Sequence, residues 1–137
     1  MEGAITVSVG SLYFASTELI AFLRESFHEV NFGGSSLSCS RRLWNEILDL
    51  HALLEGAVKL GLDTSCFDGS AAEEASRTTK LVHNVIRELR RYVIDMLEEA
   101  SYSKSCLPLD ESLLVDHFDR FEAARVCMSE MLNKLQV

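Results

Sequence analysis

The fold is decided by the stretch between residues 70 and 100, which reads SAAEEASRTTKLVHNVIRELRRYVIDMLEEA. It opens with Ser70 and, three residues later, Glu73, the pair that forms a capping box at the start of a helix. Apolar residues then recur with helical spacing: Ala75, Val82, Val85, Ile86, Leu89, Val93, Met96, Leu97 and Ala100. This pattern predicts one helix of about 45 Å, long enough to span a small domain.

Three other segments show the same spacing of apolar residues. Residue types that end or precede helices mark their limits. The first segment ends at Gly33 and Gly34, the second ends before Gly61, and the last begins after Pro108. The predicted helices span residues 16–31, 40–60, 70–101 and 111–135. The sequence therefore predicts an all-α fold, an antiparallel bundle of about four helices with a long third helix.

A single domain is expected to account for residues 1–137, because no repeat, linker or low-complexity tract divides the chain. Ile5, Val7 and Val9 alternate with small polar residues as in a strand, but no second strand is predicted for pairing. We therefore expect residues 1–10 to form an extended arm or the fraying start of the first helix.

The composition is that of a folded, acidic protein, with 47% hydrophobic residues and a single proline. The chain has 21 Asp and Glu against 13 Lys and Arg, a net charge of −8. Because this charge repels phosphate groups, we expect no nucleic-acid partner. No stretch approaches the roughly 18 consecutive apolar residues of a membrane span, so no membrane partner is expected either.

Four cysteines, Cys39, Cys66, Cys106 and Cys127, are spaced too widely to contain the close pairs of a structural zinc site. We interpret them as reduced thiols of an intracellular protein, either cytoplasmic or nuclear. The alternative is a secreted four-helix signalling protein of the cytokine type, in which the four cysteines would form two disulfides.

Motifs for catalysis or for cofactor binding are absent from the sequence. It contains no nucleophile motif and no Gly-rich phosphate loop. Its one Glu-x-x-His, Glu25 to His28, points away from the apolar stripe, whereas a dimetal bundle site needs two such motifs facing inward. We predict no enzyme activity, catalytic residue, cofactor or metal. The alternative is an enzyme or metal protein with a site between helices that includes His51 and His117.

Two polar residues, His117 and Arg125, lie within the apolar stripe of the last predicted helix. Because burial of an ionisable group is costly without a partner, we expect each to be paired, with an acid of a neighbouring helix as the natural partner. The alternative is a groove open to solvent. His51 borders the stripe of the second helix, and we expect a hydrogen-bonded interface residue there rather than a pH switch or a ligand.

Basic residues gather on one side of the predicted third helix. Arg77, Lys80, Arg87 and Arg91 follow helical spacing opposite the apolar stripe, and Arg90 lies nearby. In an acidic chain this asymmetry indicates a docking surface for an acidic or phosphorylated segment of another protein. The alternative is an ordinary solvated helix face.

Large apolar residues also occur off the main stripes, at Phe22, Leu53, Leu60 and Ile94. They indicate contact with another protein, contact with a second copy in a homodimer, or a wide core stripe. With the basic residues they lead to the main hypothesis, a non-enzymatic protein–protein interaction module. Such a module would be an adaptor, a regulatory subunit or a host-directed binding protein.

Overall fold

A computed structural model of the chain describes residues 8–29, 37–63, 67–103 and 111–135. Four helices account for nearly all of these residues: α1 (Val9–Glu29), α2 (Leu37–Lys59), α3 (Gly69–Ser103) and α4 (Glu111–Leu135). The helices pack against one another, and the described part of the chain contains no strand. The predicted all-α bundle with a long third helix is confirmed.

The first helix begins at Val9, well before the predicted start at residue 16. The reason is a pair of side-chain caps. The Val9 backbone N–H donates to Asp63 Oδ1 at 3.0 Å, and the Ser11 N–H donates to Ser8 Oγ at 3.0 Å, so that N–H groups without helical partners are satisfied. Residues 1–7 of the predicted arm lie outside the described residues, as do Gly33 and Gly34.

The second helix ends at Lys59, one residue before its predicted end, and Gly61 follows as expected. This glycine has a φ of +70°, the left-handed conformation that side chains other than glycine rarely adopt. The Gly61 N–H donates to the Val58 carbonyl at 3.1 Å and the Leu62 N–H to the Ala57 carbonyl at 3.0 Å. These two bonds form a Schellman motif, which satisfies carbonyl groups at the helix end.

The four helices form a ring in the order α1, α2, α4, α3, because α1 and α4 each pack against both α2 and α3. Helices adjacent in the sequence form two antiparallel hairpins, α1 with α2 and α3 with α4. Within each hairpin, residues further along one helix contact residues earlier in the other. These contacts are Tyr13 with Glu55 and Arg24 with Trp44 in the first hairpin, and Glu74 with Lys134 and Tyr92 with His117 in the second.

The two hairpins lie side by side with their neighbouring helices parallel. Arg42 of α2 lies over the Phe118 ring of α4, and Glu46, one turn later, contacts Arg125, further along α4. Since contacts advance in the same direction on both helices, α2 and α4 are parallel, and α1 and α3 are therefore parallel as well. Helices α2 and α3 are consecutive in the chain and occupy diagonal positions in the ring.

Each helix buries one apolar stripe in a shared core. On α3 the buried residues are those that the spacing predicts: Ala75, Val82, Val85, Ile86, Leu89, Val93 and Met96. The largest fully buried side chain is Phe121 of α4, which joins leucines of α1 and α2 in the same core. Among the described helices, none combines the length and the apolar character that crossing a membrane requires.

The buried stripe of α3 gives the first prediction. Leu89 is 2% exposed, whereas Arg87 lies on the exposed side of the same helix turn. Replacement of Leu89 by Ala leaves a cavity, and we expect it to lower the free energy of unfolding by about 2 to 5 kcal/mol. Arg87→Ala should change it by less than about 0.5 kcal/mol. Urea denaturation of both variants measures the difference, and equal losses would mean that the wrong face of α3 has been placed in the core.

Candidate functional site

The basic residues of α3 lie on the surface of the bundle. Arg77, Lys80, Arg87 and Arg91, which we call the basic face, are all exposed. They lie opposite the buried stripe because both sets follow the helical repeat, half a turn apart. The predicted placement of these residues on one exposed face is therefore correct.

Most other described cations have a partner. Four are in ion pairs: Lys59 with Glu55, Arg120 with Glu88, Arg125 with Glu46, and Lys134 with Glu74. Arg24, Arg42 and Arg90 lie over aromatic rings. Arg77, Lys80 and Arg87, in contrast, have no ion pair with any described carboxylate. Three unpaired cations thus share one face of one helix.

Arg91 and Arg90, at one end of this surface, differ from those three. Arg91 pairs with Asp95 one turn later at 3.7 Å, in an exposed arrangement that solvent screens strongly. The Arg90 guanidinium lies 5.5 Å from the centroid of the Phe22 ring of α1. Arg90 therefore crosses from α3 to α1 and holds the two helices together at this level.

An open depression lies at the same end of the basic face. Asn84, Arg87, Glu88, Arg90, Arg91 and Ile94 line it. Ile94 is half-buried, so part of an apolar side chain reaches the surface beside the guanidinium groups. Basic and apolar groups consequently meet within two turns of α3.

The four off-stripe apolar residues do not form one surface. Phe22 and Leu53 are half-buried and pack against the core, which fits a wide core stripe. Ile94 lies beside the basic face, whereas Leu60 is 64% exposed near the end of α2. Because α2 and α3 occupy diagonal positions in the ring, Leu53 and Leu60 lie apart from the basic face.

Phe14 is an exposed aromatic side chain that the sequence analysis did not identify. It is 65% exposed on α1. Because Phe14 precedes the predicted start of the first helix, the helical periodicity could not predict whether its side chain is buried or exposed. The early start of α1, which depends on Asp63, is what places it on the surface.

Arg125 has the acidic partner that its place in the α4 stripe predicts. Its Nε donates to Glu46 Oε1 of α2 at 2.6 Å, and Glu46 is only 8% exposed. This hydrogen bond is the main reason why the pKa of Arg125 is raised, with the nearby acids adding to it. Glu46 was not identified from the sequence, although it lies one position before the buried Ile47.

The Arg125–Glu46 pair gives a second prediction. Arg125→Met leaves the buried Glu46 carboxylate without its partner, and we expect a loss of about 1 to 3 kcal/mol in the free energy of unfolding. The double variant Glu46→Leu with Arg125→Met removes the charge as well and should recover most of that loss. Urea denaturation compares the two, and equal destabilisation by both would show that the pair acts through packing alone.

His51 is held between α1 and α2 by the contacts expected for an interface residue. Its Nδ1 lies 2.8 Å from Ser16 Oγ, and its ring stacks on Tyr13 at 5.1 Å between centroids. The Ser16 hydroxyl donates to the Tyr13 carbonyl at 2.8 Å, so the proton shared with His51 is on Nδ1. Because Ser16 is 1% exposed, this arrangement fits a polar clamp between helices better than a nucleophile and its base.

His117 is buried against α3, with an aromatic neighbour in place of the expected acid. It is 8% exposed, and its ring lies 5.1 Å from that of Tyr92, tilted by 40°. Burial lowers the pKa of His117, and Arg120 lowers it further, while Asp116 and Glu88 act in the opposite direction. The neutral imidazole is therefore the form that the fold favours.

A pH dependence of stability follows from the lowered pKa of His117. The unfolded chain binds a proton at this histidine near pH 6.5, whereas the folded protein does so only at a lower pH. Its contribution to stability is thus complete above about pH 6.5 and is lost as the pH falls through the folded-state pKa. We expect the free energy of unfolding to decline less between pH 7.5 and 5.5 in His117→Phe than in the wild type. Equal declines in denaturant titrations would contradict the assignment.

No group of three or more His, Cys, Asp or Glu suited to hold a metal ion occurs within the described residues. Cys127 of α4 carries a free thiol. Cys66 and Cys106 lie outside the described residues, as does the side chain of Cys39. The basic face of α3 is therefore the candidate site on which sequence and structure converge.

Comparison of the chain with family models, curated proteins and solved structures yields no match. The function must be argued from the surface of this protein itself.

Proposed function

We propose that this protein is a non-enzymatic interaction module that binds an acidic segment of another protein on the basic face of α3. The observation that supports the proposal is the set of three cations, Arg77, Lys80 and Arg87, without ion pairs to described carboxylates on one exposed helix face. This occurs in a chain whose acids outnumber its bases. A segment that carries carboxylate or phosphate groups would supply the missing partners.

The distribution of charge favours a short acidic segment over a long polyanion. At physiological ionic strength charges are screened beyond about 8 Å, so a bound segment senses mainly the local basic residues. A long polyanion would also approach the acidic remainder of the surface, which gives the chain its net charge of −8. Complementary charges of this kind contribute more to partner choice and association rate than to affinity.

An intracellular location and a role as an adaptor or a regulatory subunit form part of this proposal. The free thiol of Cys127 fits a reducing compartment. A partner in the same compartment would meet the basic face directly, since no described helix or loop covers Arg77, Lys80 or Arg87.

The test compares two charge reversals that alter the net charge equally. Arg87→Glu changes the basic face, and Arg41→Glu changes an exposed arginine of α2 that also lacks an ion pair with described residues. Helix α2 lies diagonally across the bundle from α3, so Arg41 serves as a matched control. Each variant and the wild type would serve as bait in quantitative affinity capture, and captured proteins would then be purified and titrated back.

We expect a partner that binds the wild type and Arg41→Glu alike and binds Arg87→Glu about three- to tenfold more weakly. Its binding should weaken further as salt is raised from 50 to about 300 mM. Phosphatase treatment distinguishes a phosphorylated segment from a carboxylate-rich one. The proposal fails if every direct partner binds all three baits equally, or if the only partner is a second copy of this chain.

A further inference from the structure

We infer that the acidic segment binds as an amphipathic α-helix, lying along α3 with its carboxylates on the basic face and an apolar side chain on Ile94. This inference rests on the proposed function and adds the conformation and the chemical pattern of the partner. It follows from the spacing of the basic residues, from the open depression beside them and from the placement of apolar groups along α3.

The spacing of the basic residues matches a helix. Arg77, Lys80, Asn84, Arg87, Arg91 and Ile94 form a continuous exposed ridge with steps of three and four residues. Each step advances about 5 Å along α3, and the ridge extends about 25 Å. A helix that lies alongside presents its own side chains at the same interval, so its carboxylates stay in register with the cations throughout.

An extended segment loses this register. Side chains on one face of a strand recur every two residues, at about 6.6 to 6.8 Å. The mismatch with the ridge is about 1.6 Å per step and accumulates to about 8 Å over five steps, well beyond the length of an ion pair. An extended acidic segment can therefore satisfy two or three of the cations but not the entire ridge.

The open depression beside the basic face supplies a place for such a helix, and all six residues that line it belong to α3. At its edge the Arg90 guanidinium reaches the Phe22 ring of α1, and both groups lie partly at the surface. Ile94 lies one turn beyond Arg90 and borders the same depression.

Apolar groups accompany the cations differently at the two ends of the basic face. Near Arg77 and Lys80 the exposed apolar side chain is Leu81, outside the depression, whereas the partly exposed Ile94 lines the same depression as Arg87 and Arg91. A partner that carried only acids would leave Ile94 in contact with water. A helix with carboxylates along one face and a leucine-sized residue at one end complements both parts.

The test uses two synthetic peptides of about 18 residues with identical composition and net charge. The register peptide repeats the spacing of Arg77, Lys80, Arg87, Arg91 and Ile94, with glutamates at its positions 1, 4, 11 and 15 and a leucine at position 18. The scrambled peptide carries the same residues without this spacing. Fluorescence anisotropy measures binding of each to the wild type, to Ile94→Ser and to the double variant Arg87→Glu with Arg91→Glu. Thermal unfolding of each variant verifies that it is folded.

We expect the register peptide to bind at least about tenfold more tightly than the scrambled one, and to gain helical circular dichroism on binding. Ile94→Ser should weaken the register peptide about three- to tenfold and leave the scrambled peptide unchanged. The double charge reversal should weaken both.

Two results would overturn the inference in distinguishable ways. Equal binding of both peptides, lost in both on charge reversal, would leave the proposed function intact and refute the helical partner. If neither peptide binds, or if the charge reversal leaves binding unchanged, the helical partner and the proposed function are both refuted. A further experiment measures binding to phosphatidylserine vesicles. If the protein binds these vesicles through Arg87 and Arg91 in preference to the register peptide, the surface binds a membrane. That result would refute the helical partner and the proposed function.

Discussion

The burial of one apolar stripe on each helix governs how the bundle is arranged. On α3, Val82, Leu89 and Val93 are buried in the shared core, so the helix can turn only this face inward. Burial of each such side chain contributes about 1.5 to 3 kcal/mol, whereas an exposed ion pair contributes about 0 to 1. Apolar packing therefore fixes the rotation of α3 about its axis, and the charges take the positions that this leaves. The basic face is exposed because it lies on the side of α3 opposite the buried leucines and valines.

The polar residues inside the bundle have a different role from those outside it. Glu46 and Arg125 lie between two parallel helices that face each other without a connecting turn. Since the removal of two charges from water offsets much of their attraction, such a pair does more to define how α2 and α4 align than to add stability. Ser16 and His51 act similarly between α1 and α2. Ion pairs thus engage Arg125, Arg120 and Lys134 within the fold, whereas Arg77, Lys80 and Arg87 have no ion pair with a described carboxylate.

Features of the structure could be predicted from the sequence when the residues that determine them lie close together in the chain. The bounds of α3 and α4 were predicted from each segment alone to within two residues, although α3 begins at Gly69, one residue before the predicted cap Ser70. The start of α1 was not predicted in this way, because Asp63, which caps it, lies far away in the sequence. For the same reason Arg125 could be recognised as needing a partner, while Glu46 could not be named. The exposure of the basic residues was predictable from a helical wheel. Their lack of ion pairs depends on which helices are neighbours, and the ring order is not encoded in any one helix.

The link between α2 and α3 divides the protein into two halves, each of which is contiguous in the sequence. Residues 60–68 are the segment of chain that joins the hairpin of α1 with α2 to the hairpin of α3 with α4. Each hairpin closes through contacts between consecutive helices, a local topology that is typical of rapid folding. The basic face lies wholly on the second hairpin, but Phe22, which supports Arg90, lies on the first. Docking of the two halves therefore also brings Phe22 against Arg90, at one end of the basic face.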